Sequence, residues 1–237
     1  MFEKEFVLSL GGSVVAPSKP VKGVDVEFLR RFERFVRRWV KEKRVRFFMV
    51  VGGGFPAREY RDAAKEAAGV DLTDEDLDWL GIHASRLNAH LLRTIFRDVA
   101  YKRILTSYER RDERIGEEPI VVGGGWKPGW STDYCAASLA RLYGIKRVVN
   151  LSNIAQVYDK DPAKFEDAKP LERVSWEAFF KLVGDKWVPG LNVPFDPIAS
   201  RLAAEEGMEV VVCAGKDLEN LEKVLLGERF VGTVIGG

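Results

Sequence analysis

Histidine and cysteine are scarce in this chain, with two of each among 237 residues. His83 and His90 fall seven apart in a stretch of helical pattern. Metal ligation would need closer spacing or a third ligand, so both are expected on a helix face. Cys135 and Cys213 lie far apart in apolar surroundings. That excludes a disulfide scaffold and fits a reducing, cytoplasmic compartment. An excess of one charge sign is also missing: 37 basic residues meet 36 acidic ones. A dedicated nucleic-acid binder would carry a basic surplus. No apolar run approaches the roughly 18 residues that span a bilayer, and the opening "MFEKEFVLSL" is too short and too charged for a secretory signal. No stretch rich in proline, glycine or serine splits the chain, so a single domain over residues 1–237 is expected. The dinucleotide pattern GxGxxG and the P-loop pattern GxxxxGK[ST] are both absent.

What is present is a 46% hydrophobic share, enough for a large core. Apolar runs read as strands over Phe6 to Leu10, Val45 to Val51, Val99 to Leu105, Ile120 to Val122, Arg147 to Leu151 and Met208 to Cys213, with a last strand in "GTVIGG". Between them the spacing predicts helices. One follows the cap residue Asp25, with Val26, Leu29, Phe32, Val36 and Val40 as its apolar stripe. Others cover Phe55 to Ala68, the run from Thr73 to about Asp98, Ser131 to Tyr143, Ser175 to Val183, Pro194 to Glu206 after a turn, and Leu218 to Leu226. Thr73 and Asp76 have capping-box spacing. Strands alternate with helices and the central strands are apolar without a break. This predicts an α/β fold with a mostly parallel sheet covered on both faces. The basic run Arg30, Arg31, Arg34, Arg37, Arg38, Lys41, Lys43 and Arg44 reads as the solvated face of one helix. Trp39, Trp79, Trp176 and Trp187 read as core or interface residues. Trp126 and Trp130 sit in a loop, where they suit either a stacked base or a subunit contact.

Three strands end in glycine: Gly11-Gly12-Ser13, Gly52-Gly53-Gly54 and Gly123-Gly124-Gly125. The second and third repeat the segment "VVGGG". At the carboxyl end of a parallel strand such a corner sets bare backbone N–H groups beside a helix N-terminus, an arrangement suited to phosphate. Three corners on one edge exceed the need of one phosphate and suit a donor nucleotide with a phosphorylated acceptor. Arg58, one turn into the helix after the second corner, can bridge two phosphate groups.

These segments carry a resemblance. "LGGS" at Leu10–Ser13, "VVGGGFPAREY" at Val50–Tyr60, "DWLGIHASRLNAHLL" at Asp78–Leu92, "GGWKPGWSTDYCAA" at Gly124–Ala137, "SNIAQVYDKDP" at Ser152–Pro162 and "FDPIAS" at Phe195–Ser200 resemble the amino acid kinase superfamily. Within it they resemble the archaeal-type uridylate (UMP) kinases. The resemblance implies a three-layer α/β/α sandwich, a homo-oligomer, usually a hexamer, and ATP-dependent phosphorylation of UMP with Mg²⁺ carried by the ATP. The part up to about residue 150 would bind the acceptor, and residues 151–237 the ATP. It further implies that Gly11, Gly12 and Ser13 hold ATP phosphates, that Gly53 touches the UMP phosphate, and that Gly54 and Arg58 lie between donor and acceptor. Asp78 would accept from the ribose hydroxyls of UMP, which suits a carboxylate facing a diol. Trp126, Lys127, Pro128, Gly129, Trp130, Ser131 and Thr132 would wrap the uracil and the acceptor phosphate. Ser152, Asn153, Tyr158 and Asp161 would hold the adenosine end. Asp196 matches an aspartate near the reacting phosphates, and with Arg58 it makes the catalytic pair. No residue is expected to be a dedicated metal ligand.

Two departures stand out. Many family members carry lysine where this chain has Ser9, so a cation is missing, and Lys19, Lys22 and Lys127 are candidates to replace it. The family segment N-V-D-G-V-Y reads here Asn153-Ile154-Ala155-Gln156-Val157-Tyr158. Two alternatives stay open at this point. One is a kinase of the same superfamily acting on another phosphate or a carboxylate; isopentenyl phosphate kinases carry a histidine just after the second corner, and this chain has none there. The other is a nucleotide-binding regulator or storage subunit with little turnover.

Overall fold

A computed structural model describes residues 2–20, 22–160, 162, 164–183 and 193–236. Nine strands and eight helices occur among them. The central sheet holds seven strands: β1 (Lys4–Leu10), β2 (Val45–Val51), β3 (Ile120–Gly123), β4 (Arg147–Ser152), β7 (Arg173–Val174), β8 (Glu209–Ala214) and β9 (Thr233–Ile235). Their order is β3-β2-β1-β4-β8-β9-β7. Neighbours pair in parallel, except that β9 runs antiparallel to β8. A small hairpin joins β5 (Val157–Tyr158) to β6 (Pro170–Leu171).

Each central strand is buried on both sides, and alternation sends its residues to two cores. Leu8, Leu10, Phe47 and Met49 point to one face. There they meet helices α2 (Val26–Lys43), α4 (Asp74–Ile95) and α8 (Leu218–Leu226). Val7, Phe48, Val50 and Val121 point to the other, under α5 (Thr132–Tyr143), α6 (Trp176–Val183) and α7 (Pro197–Glu205). The result is the three-layer α/β/α arrangement. Phe32, fully buried on α2, marks the cost of disturbing it: truncation of such a side chain to alanine removes about 3–5 kcal/mol.

Local signals place the helix starts. Asp25 accepts from the Phe28 amide at 3.0 Å. Thr73 and Asp76 form a reciprocal capping box, and Ser131 caps α5. Arg37, from the basic run, pairs with Asp98, and Arg38 with Glu222, so much of that face is solvated and locally paired. His83 and His90 are exposed on α4.

Two expectations, a strand and a helix end, need correction. The segment Val99 to Leu105 is no strand: it touches β3 only at two isolated bridges, Ala100 to Ile120 and Leu105 to Gly123. The corner after β1 opens a four-residue helix, α1 (Gly12–Val15), as a strand–glycine–helix junction should. Helix α4 stops at Ile95, three residues early. Of the tryptophans expected in the core or an interface, Trp39 is buried among Phe6, Phe35 and Phe47, and Trp79 is 39% exposed beside His83. Trp187 lies outside the described residues.

Candidate active site

Strand order reverses direction at β1. The chain steps from β1 to β2 and β3 on one side, then crosses to β4 and β8 on the other. In open α/β sheets the crevice at such a switch point, beyond the carboxyl ends of the strands, is where ligands settle. Two clefts lie there. One, of about 370 Å³, opens beyond β1, β2 and β3 and is lined by Gly12, Gly52, Gly53, Gly54, Arg58, Asp78, Trp130, Ser131, Thr132, Asp133 and Asp196, among others. The other, of about 650 Å³, opens beyond β1, β4 and β8 and includes Ser13, Lys19, Arg58, Ser152, Asn153, Gly215 and Lys216. Arg58 lines both.

The first two glycine corners form the divide. In-register pairing of β1 with β2, ending at Leu10 opposite Val51, brings both corners out at one level. They then touch backbone to backbone. A Cβ on Gly12 would lie 2.1 Å from the Gly54 nitrogen, and Gly54 itself holds φ at +66°. Only glycine allows this approach and this conformation. The amides of Gly12, Ser13, Gly53 and Gly54 hydrogen-bond to no other described residue. They stand at the starts of α1 and α3 (Gly54–Ala67), where unpaired N–H groups and the helix dipole attract anions. Asn88 fixes the second corner by donating to the carbonyls of Gly52 and Gly53. Arg58, exposed one turn into α3, donates to the Ser13 hydroxyl at 3.3 Å.

The third corner is built differently. Gly124 N–H donates to Leu105, and Gly125 N–H donates to Ser85 at 2.6 Å. A Cβ on Gly123 would strike the Tyr108 hydroxyl, which instead donates to the Gly124 carbonyl at 2.6 Å. Its glycines therefore serve close packing against α4 and Tyr108, and the expectation of three equivalent phosphate cradles reduces to two.

Two carboxylates lie at the floor of the smaller cleft. Asp133 accepts from Ser9 at 2.9 Å and from the Asp196 amide at 3.2 Å. Burial, and then the neighbouring charge of Asp196, push the Asp133 carboxyl up to about 6. Asp196 caps α7 through Ala199 at 2.7 Å. Its other oxygen is buried with no partner among the described residues. Burial raises its pKa, against the backbone amides of Ala199 and Ile198 and the Ser131 side chain. Free amides, one guanidinium and hard oxygen donors around a pair of joined clefts suit the binding of two phosphorylated molecules end to end.

Known proteins share this fold and part of this sequence. Residues 4–214 match the profile of the amino acid kinase family. The chain belongs to the amino acid kinase family. A uridylate kinase of Methanobrevibacter smithii is 31% identical over 232 residues, covering 98% of each chain. A crystal structure of uridylate kinase from Archaeoglobus fulgidus superposes with a TM-score of 0.81 at 32% identity, over 98% of this chain and 99% of that one. An aspartate kinase from Synechocystis superposes at 0.72 with 17% identity, over 98% of this chain and 40% of its own; that likeness is one of fold alone.

In this amino acid kinase the remaining expected residues are unevenly placed. Asp78 is buried at the cleft wall, accepts from the Gly129 amide at 2.8 Å and faces Arg61 at 3.5 Å. It thereby ties the loop 126–132 to α4. Trp130, Ser131 and Thr132 line the cleft. Trp126 packs behind them on Tyr108, Trp130 and Tyr134. Lys127 turns to Glu109 and the Trp126 ring, and Pro128 is half-buried in the same loop. Gly11 donates to Leu151 and seats β1 against β4. Tyr158 stands in β5, away from the lining of either cleft, and Asp161 lies outside the described residues. Of the candidate cations, Lys22 pairs with Glu59 and only Lys19 lines a cleft. Gln156, at one departure from the family pattern, donates to the Gly232 carbonyl at 3.2 Å, while Ala155 is exposed. Sequence reasoning overlooked Arg61, Asn88, Asp133 and Lys216. For Lys216 a signal existed: Ala214-Gly215-Lys216 is a fourth strand–glycine–helix junction, after β8 and before α8.

Proposed function

We propose that this amino acid kinase transfers the γ-phosphate of ATP to UMP, giving ADP and UDP. The observation that carries the reading is the meeting of two anion-suited clefts at Arg58, in a chain similar over almost its whole length to proteins named uridylate kinase. Within one domain, the part up to about residue 150 holds the acceptor and residues 151–237 the adenosine end of ATP. Gly12 and Ser13 take the ATP phosphates, with Gly54 and Arg58 at the divide; Gly11, whose amide is engaged by Leu151, seats the corner instead. Ser152 and Asn153, which line the larger cleft, take the nucleoside with Asp161, and Tyr158 of β5 lies outside that lining. Gly53 takes the UMP phosphate, Asp78 the ribose hydroxyls, and the loop from Trp126 to Thr132 the uracil.

The reaction follows from placement. An oxygen of the UMP phosphate attacks the γ-phosphorus, and the bond to the β–γ bridging oxygen breaks. ADP departs with that electron pair. The attacking oxygen is already anionic, so no base has to remove a proton. What the chain supplies is alignment and positive charge: helix-start amides on both sides and the Arg58 guanidinium between them. Mg²⁺ carried by ATP adds charge neutralisation at the phosphates. No group of three or more metal-binding side chains occurs among the described residues. Asp133 and the Asp196 oxygen without a partner among the described residues are the hard donors that could hold the ion beside the phosphates.

No helix among the described residues is long and apolar enough to cross a membrane, in keeping with a cytoplasmic setting. The chain is expected to assemble as a homo-oligomer, a hexamer by family resemblance. The apolar surface of Val24, Val26, Leu91 and Ile95 is a face on which copies can meet; light scattering in solution tests this. The function is tested by ADP formation from ATP with UMP, against CMP and AMP. Faster turnover with UMP is expected. Equal rates on all three would refute the uracil assignment, and tight ATP binding without turnover would favour a regulatory subunit.

A further inference from the structure

The larger cleft carries a cation, Lys216, that the reading above leaves without a role. Its described lining contains no carboxylate and three basic side chains: Lys19, Arg58 and Lys216. A wall of that composition suits a polyanion. The three differ in how firmly they are held. Arg58 is exposed and makes one 3.3 Å bond to Ser13. Lys19 is exposed in the loop that follows α1. Lys216 is fixed from three sides. The Gly215 amide before it donates to Ser152 at 2.7 Å. A Cβ at Gly215 would lie 2.7 Å from Val14 and 3.1 Å from the Leu151 backbone, so the chain passes hard against α1 and β4. Asp217 after it caps α8. The Lys216 ammonium itself donates to Asp25, the cap of α2, whose own amide donates to Val15 in α1 at 2.9 Å.

Asp25 thus performs two tasks with two oxygens. Oδ1 caps the helix and Oδ2 holds the ammonium. An ammonium has three donors. One is engaged by Asp25, and two remain for the cleft. Burial raises the Asp25 carboxyl, but the Lys216 contact and the Phe28 amide outweigh it and leave its pKa lowered, which keeps it a carboxylate at neutral pH.

We propose that Lys216, oriented by Asp25, is a catalytic residue that binds the phosphates of the nucleoside triphosphate from the wall formed by β8. The proposal rests on the kinase reading above. No bond to Lys216 forms or breaks. It offsets the negative charge that gathers on the departing diphosphate as the bond between the γ-phosphorus and the bridging oxygen opens. Asp25 is a positioning residue, since it acts through the ammonium.

Steady-state rates with the full chain, ATP, Mg²⁺ and UMP test this. Lys216→Met is expected to lower kcat/KM for ATP about a hundredfold while KM for UMP stays within about twofold. Lys216→Arg, which keeps the charge, is expected to recover about a tenth or more of wild-type kcat/KM. Asp25→Asn keeps a good helix cap and is expected to raise KM for ATP several-fold without lowering Tm by more than a few degrees. Wild-type ATP parameters in Lys216→Met would overturn the proposal, as would equal losses for ATP and UMP. Should Lys216→Met fail to fold, Lys216→Gln takes its place under the same criteria. The kinase reading fails separately, by absence of turnover in the wild type. In that case ATP calorimetry decides: at least tenfold weaker binding by Lys216→Met supports the inference, and unchanged binding refutes it.

Discussion

Gly52–Gly54 and Gly123–Gly125 follow the same Val-Val pair and end neighbouring parallel strands, yet their surroundings differ. At the second corner the amides of Gly53 and Gly54 have no partner among the described residues and an arginine stands exposed above them. At the third, both the amides and the nearby arginine are already engaged. Arg86 donates to the carbonyls of Gly125 and Trp126 at 3.0 and 2.7 Å. The same short sequence thus makes an anion cradle in one place and a packing joint in the other. What decides is which groups α4 engages: at the second corner Asn88 takes carbonyls and leaves the Gly53 and Gly54 amides alone, while at the third Ser85 takes the Gly125 amide.

The strongest way to break this comparison exchanges the two arginines' roles in an assay. Arg58→Ala is expected to reduce kcat by about a thousandfold, on the order of 4 kcal/mol of barrier, with Tm within about 2 °C of wild type. Arg86→Ala is expected to do the reverse, losing about 2–3 kcal/mol of stability through unpaired carbonyls. Similar activity profiles for the two variants would erase the distinction.

The next effect is steric. Gly54→Ala must place a Cβ 2.4 Å from the Gly12 carbonyl oxygen and 2.7 Å from that of Ala16, at φ +66°. Both neighbours are backbone, so no side chain can yield. A loss of about 2–4 kcal/mol in chemical denaturation is expected, together with loss of turnover. Gly123→Ala meets the end of a side chain, Tyr108, at 2.3 Å. It is expected to cost about 2 kcal/mol, and Tyr108→Phe in the same chain should return a measurable part of it. Strict additivity of the two substitutions would show that the clash is not the cause.

The smallest effect concerns Asp133, which follows the third corner in sequence but faces the cleft of the second. Its carboxyl, pushed up to about 6, holds its proton more tightly folded than unfolded. Stability from this group is complete below about pH 4 and is lost as pH rises through 6. Asp133→Asn has no such loss. In the absence of nucleotides it should gain on wild type as pH rises from about 4 to 7, by no more than about 3 kcal/mol. A stability difference that stays flat over that range would contradict the shift.

Much of the frame was legible because its causes are local. Continuous apolar runs announced β1, β2 and β4, and Asp25, Thr73 with Asp76, and Ser131 announced helix starts through bonds spanning three residues. The misreading at Val99 to Leu105 has the same root. Its apolar residues do pack toward the core, with Tyr101 and Leu105 buried, but sheet pairing needs a partner in register and finds β3 at only two points. The two-residue strands β5, β6 and β7 are too short for any period to show.

At the site, sequence located the rim and the positions of Gly12, Gly54, Arg58, Asp78 and Trp130 beside it. It could not say which amides are free, because an amide's partner is often distant: Gly125 is met by Ser85, 40 residues away. Nor could it join Ser9 to Asp133 across 124 positions, or Lys216 to Asp25 across 191. By itself the sequence determined the strands, the caps and the glycine corners, since these depend on backbone sterics and on neighbours within a helical turn. The tertiary structure alone decided which corner stays open, which carboxylates share a floor and which lysine is held in place, since each depends on contacts that exist only after the layers close on one another.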